Sequence, residues 1–188
     1  MQPEVERELI RKCKAGDARF YEPIVRAYEP SGLRIAMGML GNREDAEDAL
    51  QEAFVKTWHS LDRFDPERAF APWFFQILRN QCRDFLRSRQ SRARFETSEL
   101  RPELRPGDPE RGPERHAERA AARVVLWKGL ERIGADHREI LVLKEIQELR
   151  YGEIAAILSI PEGTVASRLY HARRALKTAL DELGIRYP

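Results

Sequence analysis

Residues 150 to 177, RYGEIAAILSIPEGTVASRLYHARRALK, set two short helical patterns on either side of a tight turn, and the second pattern carries a basic face. The first has Ile154, Ala155, Ile157 and Leu158 as its apolar set. Ser159 to Gly163 then interrupts it, with Pro161 suited to a helix start, where a missing N–H costs nothing. In the second pattern Val165, Leu169, Ala172, Leu176 and Leu183 recur at spacings of three, four or seven, so they form one stripe that must be buried. The opposite face, counted at about a hundred degrees per residue, presents Gly163, Ser167, Tyr170, His171 and Arg174, with Arg168, Arg173 and Lys177 on its flanks. This is the layout of a helix-turn-helix whose second helix fits a DNA major groove, where short polar and aromatic groups reach base edges and cations meet phosphates. A basic helix taken alone is equally compatible with a solvated surface, and it is the turn and the preceding short helix that favour DNA.

Composition bounds the rest. A chain of 188 residues, 42% hydrophobic and 34% charged, buries one medium core or two small ones. A formal net charge of +2 is too small to attract nucleic acid, so such binding requires segregated charge. Residues 44 to 52 hold Glu44, Asp45, Glu47, Asp48 and Glu52 without a cation, whereas residues 79 to 94 hold six arginines against one acid, Asp84. No apolar run is long enough to span a bilayer and MQPEVERELIRKCK lacks a signal-peptide core, so a cytoplasmic protein without membrane insertion is expected. Cys13 and Cys82 are isolated from each other and from any histidine cluster, and read as core fillers.

Helical periodicity dominates and alternating β-branched runs are absent, so the predicted fold class is all-α, two small helical domains joined by a flexible linker. Residues 95 to 117 supply the linker: Pro102, Pro106, Pro109 and Pro113 with Gly107 and Gly112 among charges cannot bury a core. The domains expected on either side are residues 5 to 94 and 118 to 184. The second should open with a helix from Arg115 to Ile133, with Val124, Val125, Trp127 and Leu130 inward. A helix from Asp136 to Glu148 follows, buried through Ile140, Leu141, Leu143 and Ile146, with Asp136 as N-cap and Glu139 completing a capping box. With the helix-turn-helix this makes a four-helix domain.

In the first domain Asp17 can cap a helix carrying Phe20, Ile24, Val25 and Tyr28, kinked at Pro23, and a further helix should cover Ser31 to Leu40 before Gly41-Asn42 breaks the chain. From Glu44 to Ser60, Ala46, Leu50, Ala53, Phe54 and Thr57 share one face, and Asp45, Asp48, Glu52, Val55 and His59 the other. An acidic face of this kind is a solvated surface or a docking site. In FAPWFFQILRNQCRDFLRSRQ, residues 70 to 90, the residues Phe74, Leu78, Cys82 and Phe85 with Phe75 and Leu86 define a buried side, leaving Trp73, Gln76, Asn80, Arg83 and Arg87 in a row opposite. Trp73 either packs under a neighbouring helix or offers, beside an amide and arginines, a stacking surface for unpaired DNA. Between the two helices, His59 to Arg68 should form a loop because Pro66 follows turn-prone residues.

These segments carry a family resemblance. YGEIAAILSIPEGTVASRLYHARRAL resembles the promoter-binding helix-turn-helix of bacterial sigma factors, especially the two-domain extracytoplasmic-function group. NREDAEDALQEAFVKTW resembles the sigma helix that binds the clamp-helix coiled coil of the largest RNA polymerase subunit, and FAPWFFQILRNQCRDFLRSRQ is similar to the promoter-melting element, typically W-L-Y-R-I-A-R-N. The resemblance implies polymerase docking through Asp45, Asp48, Gln51, Glu52 and Val55, with a further contact to the flap of the second largest subunit. It implies minus-ten contacts from Phe64, Trp73, Gln76, Asn80, Arg83 and Arg87, the loop around Phe64 capturing a flipped base with Phe64 and Asn80 as the pocket residues. It implies minus-thirty-five contacts from Thr164, Ser167, Arg168, Tyr170, His171, Arg173, Arg174 and Lys177, no metal or other cofactor, and an anti-sigma factor as partner. The chain departs from the pattern at Ala166, where a cation is common, at Arg150, where serine often caps a helix, and at Phe75 and Gln76, which stand for tyrosine and arginine.

An enzyme is not expected, since His59, His116, His137 and His171 are scattered and no phosphate loop, paired metal-ligand motif or nucleophile motif occurs. A regulator that binds duplex operators as a dimer is the closer rival. It would bind its site without polymerase.

Overall fold

The computed structural model describes residues 1–95 and 124–184. The linker expected over 95–117 lies outside them apart from Phe95, which still belongs to a helix, and the expected helix start at Arg115 also lies outside the described residues. Every regular element among the described residues is helical. In order they are α1 (Pro3–Lys14), a 3-10 turn (Ala18–Phe20), α2 (Tyr21–Leu40), α3 (Arg43–Ser60), a second 3-10 turn (Leu61–Arg63), α4 (Phe70–Phe95), α5 (124–132), α6 (Ala135–Leu141) running into a π turn (Val142–Ile146), α7 (Tyr151–Leu158) and α8 (Glu162–Glu182). None of the described helices is long and apolar enough to cross a membrane.

Three expectations are corrected. Residues 21–40 form one helix rather than two, because Pro23 sits in the first turn, where its missing N–H has no partner to lose, and Pro30 is carried by burial on both sides of it, with Ile24, Ile35, Ala36, Met39 and Leu40 all in the core. Asp17 caps the 3-10 turn instead, its Oδ1 accepting from the Arg19 N–H at 3.2 Å. The helix expected over 136–148 starts at Ala135 with Gly134 at its N-cap, and Asp136 makes no cap. Its last turn widens to π geometry, which leaves Ile146 40% exposed rather than buried, and Glu148 ends it at φ +55°.

One helix had no counterpart in the periodicity. In α1, Pro3 opens the first turn with Glu4 and Glu6 after it, and Arg11, Lys12 and Lys14 close the last turn, so the charges follow the helix dipole. Ile10 and Cys13 bury its inner side.

The core of the first half is aromatic. Phe74, 0% exposed, stacks on Phe54 of α3 at 4.7 Å, and Phe70, equally buried, lies under Tyr28 of α2 at 5.2 Å. In the second half Val165, Leu169 and Ala172 of α8 close over Ile154, Ile157 and Leu158 of α7. The buried side chains of both halves join in one continuous cluster. Gly41 ends α2 at φ +87°, and the indole of Trp127 fills the space a Cβ would occupy there, at 2.2 Å. Gly38 likewise admits Val142 of the π turn. Arg138, buried, donates to the main-chain oxygen of Met39 at the end of α2 at 2.9 Å and to that of Leu130 at 2.8 Å, satisfying carbonyls that two helix ends leave open. Burial pulls the Arg138 guanidinium below its ordinary pKa.

Candidate nucleic-acid interface

Three surfaces gather the residues singled out above. On α3, Asp48, Gln51 and Glu52 are exposed and Val55 is 51% exposed beside them. Asp45 lies at the buried edge of this face and serves the helix start: Asn42 caps α3 by accepting from the Asp45 N–H at 2.7 Å, and its amide donates to the Asp45 carboxylate at 2.6 Å. Glu52 accepts a hydrogen bond from the buried Gln81 of α4, which is also bound by Lys56. An exposed valine flanked by Gln51 and Glu52, with Asp48 two turns before it, thus sits on a helix whose other side is locked into the core.

The second surface runs along α4. Phe64, 4% exposed, stacks flat against Trp73 at 4.5 Å and meets Phe70 edge-on at 5.5 Å, so the loop after the second 3-10 turn is pinned beneath the indole. Trp73 is half-buried, neither sealed in the core nor free. Arg63, Phe64, Asp65, Arg68, Trp73 and Gln76 line a cleft of about 560 Å³, and Ala156 of α7 closes its far side. An aromatic floor with cations at the rim suits an unpaired base and its phosphate. Asn80 is exposed and accepts from the Arg79 guanidinium at 3.3 Å, outside this cleft, so the structure does not bring it together with Phe64. Arg83 and Arg87 lie further along, on a second cleft of about 420 Å³ between α4 and α6.

The second half of the chain covers much of this α4 face. Gln76 donates to the Ser159 hydroxyl at 2.6 Å. Arg79 donates to Oε1 of Glu139 at 2.6 Å, the Nε of Arg83 lies 3.1 Å from Oε2 of the same carboxylate, and Arg83 also pairs with Asp136. Asp136 and Glu139 thus turn their charges on α4 rather than on their own helix start. Sequence periodicity could not reveal this, because their partners lie more than fifty residues away.

The third surface is α8. The αL conformation of Ser159, φ 54°, ends α7, and the N–H of Ile160 returns to the Ala155 carbonyl at 3.0 Å, which fixes the turn of the helix-turn-helix. Arg150 does not leave the start of α7 uncapped: the Glu153 carboxylate accepts from the Arg150 N–H at 2.8 Å, and the Arg150 guanidinium, together with that bond, holds Glu153 below its usual pKa. Ser167, Arg168, Tyr170, His171, Arg173, Arg174 and Lys177 all point outward, with Thr164 half-buried at the leading end. Tyr170 is 58% exposed and packs edge-on to His171 at 5.4 Å, and the Arg174 guanidinium lies over its ring at 5.8 Å. Arg173 pairs with Glu145 at 2.7 Å. An exposed phenol, imidazole and guanidinium on a helix anchored by Val165, Leu169 and Ala172 can enter a groove as a rigid unit.

Both halves match known families. Residues 24–92 match the family described as Sigma-70 region 2, and residues 124–176 match Sigma-70, region 4. The chain is 30% identical over 183 residues to the ECF RNA polymerase sigma factor SigW of Bacillus subtilis, covering 94% of this chain and 97% of that one. It is 31% identical over 188 residues to the RNA polymerase sigma factor CnrH of Cupriavidus metallidurans, covering 96% and 97%. The solved structure of CnrH in complex with the cytosolic domain of CnrY superposes with a TM-score of 0.69 at 28% identity, over 95% of this chain and 98% of that one.

Proposed function

The chain belongs to the extracytoplasmic-function RNA polymerase sigma factors, and from that premise we propose a division of labour among its surfaces. The family is a non-enzymatic class of transcription initiation factor, which directs RNA polymerase to promoters. The α3 face of Asp48, Gln51, Glu52 and Val55, with Asp45 at its edge, docks on the clamp helices of the largest polymerase subunit. The cleft of Phe64, Trp73 and Gln76 holds a base of the unpaired minus-ten strand, and Asn80, Arg83 and Arg87 continue along its backbone. The outward face of α8, from Thr164 to Lys177, reads the minus-thirty-five duplex, and this half also meets the flap of the second largest subunit.

The single observation that carries this reading is the Phe64–Trp73 stack at the floor of an arginine-rimmed cleft. Holding a base out of the duplex costs on the order of a few kcal/mol, so a preformed aromatic site is what such a step needs. Residues 5 to 94 and 118 to 184 then act as separate DNA-contacting domains tethered by residues 95 to 117, which raises the effective concentration of the second contact. An anti-sigma factor restrains the protein; the CnrH likeness, solved with the cytosolic domain of CnrY, supports this. Action in the cytoplasm follows from these partners.

The test is reconstitution with bacterial core RNA polymerase and a randomised promoter library. Discrete transcription start sites preceded by two shared sequence elements are expected. Tight binding of the isolated chain to a duplex site, with no polymerase-dependent initiation, would replace this reading with that of an operator-binding regulator.

A further inference from the structure

The loop that forms one wall of the cleft is tied to the domain from an unexpected side. The hydrogen bonds that the loop makes within itself are local: Phe64 N–H to Leu61 oxygen at 3.0 Å, Arg68 N–H to Asp65 oxygen at 3.0 Å, and Glu67 N–H to the Asp65 carboxylate at 3.0 Å. These shape a turn without fixing where it sits. The long-range polar contacts come from α1. Arg7, Arg11 and Lys14, at spacings of four and three, share one face of that helix, while Ile10 and Cys13 on the adjoining flank anchor it in the core. Lys14 Nζ donates to the main-chain oxygen of Phe64 at 2.7 Å, Arg11 donates to Glu67 at 2.7 Å, and Arg7 lies 3.8 Å from the same carboxylate.

We infer that α1 is a brace for the cleft and that Lys14 is a positioning residue for capture of the unpaired base. The inference rests on the function proposed for that cleft. Phe64 is held at both levels: its ring by Trp73 and Phe70, its N–H by Leu61 and its carbonyl by the half-buried ammonium of Lys14. A charged donor on a partly desolvated carbonyl is among the stronger protein hydrogen bonds. The exposed pair of Arg11 with Glu67 adds little by itself, since surface ion pairs are screened and mobile. Lys14 therefore keeps the wall in place before DNA arrives, so that the ordering of the loop is not charged against base capture. α1 lies outside the segment that matches region 2, which begins at residue 24, so this role adds to that segment.

The experiment compares Lys14→Met, which keeps the aliphatic stem and loses the donor, with Lys14→Arg, which restores one. Each variant is assembled with core polymerase and offered the unpaired non-template strand of a promoter that the wild-type holoenzyme selects from a random library. Affinity for core polymerase and the melting temperature of the free chain are measured alongside. Lys14→Met is expected to weaken strand capture about tenfold with core affinity and melting temperature near wild type, and Lys14→Arg to recover most of the loss. Wild-type capture that Lys14→Met leaves unchanged would overturn the brace and leave the proposed function standing. So would a joint fall in capture, core affinity and melting temperature that arginine does not rescue. A wild-type holoenzyme that captures no strand would overturn the proposed function and the brace together.

Discussion

The Nε of Arg79 on α4 lies 2.6 Å from Oε1 of Glu139 on α6, across the junction of the two halves of the chain, and the Glu139 side chain is only 2% exposed. With Arg83 on its other oxygen at 3.1 Å, this carboxylate engages two guanidiniums of α4, groups that pair equally well with a phosphate. Gln76, Arg79 and Arg83 therefore each have a partner in the second half of the chain, and the proposed minus-ten surface is fully available only once those contacts part.

Glu139→Gln tests that competition, because it keeps the shape and removes the charge. Stability should fall by about 1–3 kcal/mol, less than for a fully buried pair because Arg83 remains in touch with solvent. Affinity of the isolated chain for single-stranded DNA should rise as Arg79 and Arg83 are released. Urea unfolding and fluorescence anisotropy measure the two effects. A loss of both stability and DNA affinity would show that Glu139 supports the α4 surface instead of masking it.

The hydrogen bond from Gln76 to the Ser159 hydroxyl gives a second handle on the same junction. Cysteines placed at both positions should be bridged by a short reducible bis-methanethiosulfonate linker, and the buried Cys13 and Cys82, whose thiol pKa values desolvation raises, that of Cys82 to about 12, are poor competitors for it. The bridged double variant should lose promoter opening in a permanganate footprint, and reduction should restore the level of the reduced control. Equal opening in both redox states would show that the junction stays closed during initiation.

The sequence exposes what local periodicity controls and misses what distant pairing controls. The outward faces of α3 and α8 follow from spacing alone, since Ala53, Phe54, Val165 and Leu169 had to be buried; on α4 spacing buries Phe74 and Leu78 but does not reveal that the second half of the chain covers part of the opposite face. The cleft was legible only as components: Trp73 and Gln76 share a face, but the stack of Phe64 beneath the indole depends on a loop path that no period encodes. Asp136 and Glu139 fitted a capping box by spacing, yet the arginines of α4 offered them stronger partners. Helix α1 was missed for want of a broad apolar stripe, although Pro3, the early acids and the late cations mark its ends. The continuity of α2 through Pro30 was not legible, because a proline interior to a helix costs a hydrogen bond, a loss that burial on either side of it offsets.

Charge reversal on α3 addresses polymerase docking. Asp48 and Glu52 are exposed, so replacing both with lysine should leave the fold close to wild type apart from the lost bond between Gln81 and Glu52. Affinity for core polymerase should drop by at least about tenfold, since like charges would then face a basic partner. Competition against a labelled sigma factor for core enzyme measures it, and retained affinity with an intact melting curve would remove the docking assignment from this face.

Arg173 and Arg174 are neighbours on α8 with different surroundings, and their alanine variants should differ in kind. Arg174 is exposed and lies over the exposed ring of Tyr170 at 5.8 Å, with no carboxylate partner among the described residues. If it is bidentate to a base edge, Arg174→Ala should cost about 1–3 kcal/mol at the matched upstream element and little at a mismatched one. Arg173 is drawn aside to Glu145 at 2.7 Å, where it can meet a phosphate but is poorly placed to read a base. Arg173→Ala should weaken binding almost equally across upstream sequences and lower the salt dependence by about one counterion. Holoenzyme binding to matched and mutated upstream elements, titrated with salt, separates the two. An unchanged upstream preference for Arg174→Ala would withdraw base reading from that residue and leave Tyr170 and His171 to carry it.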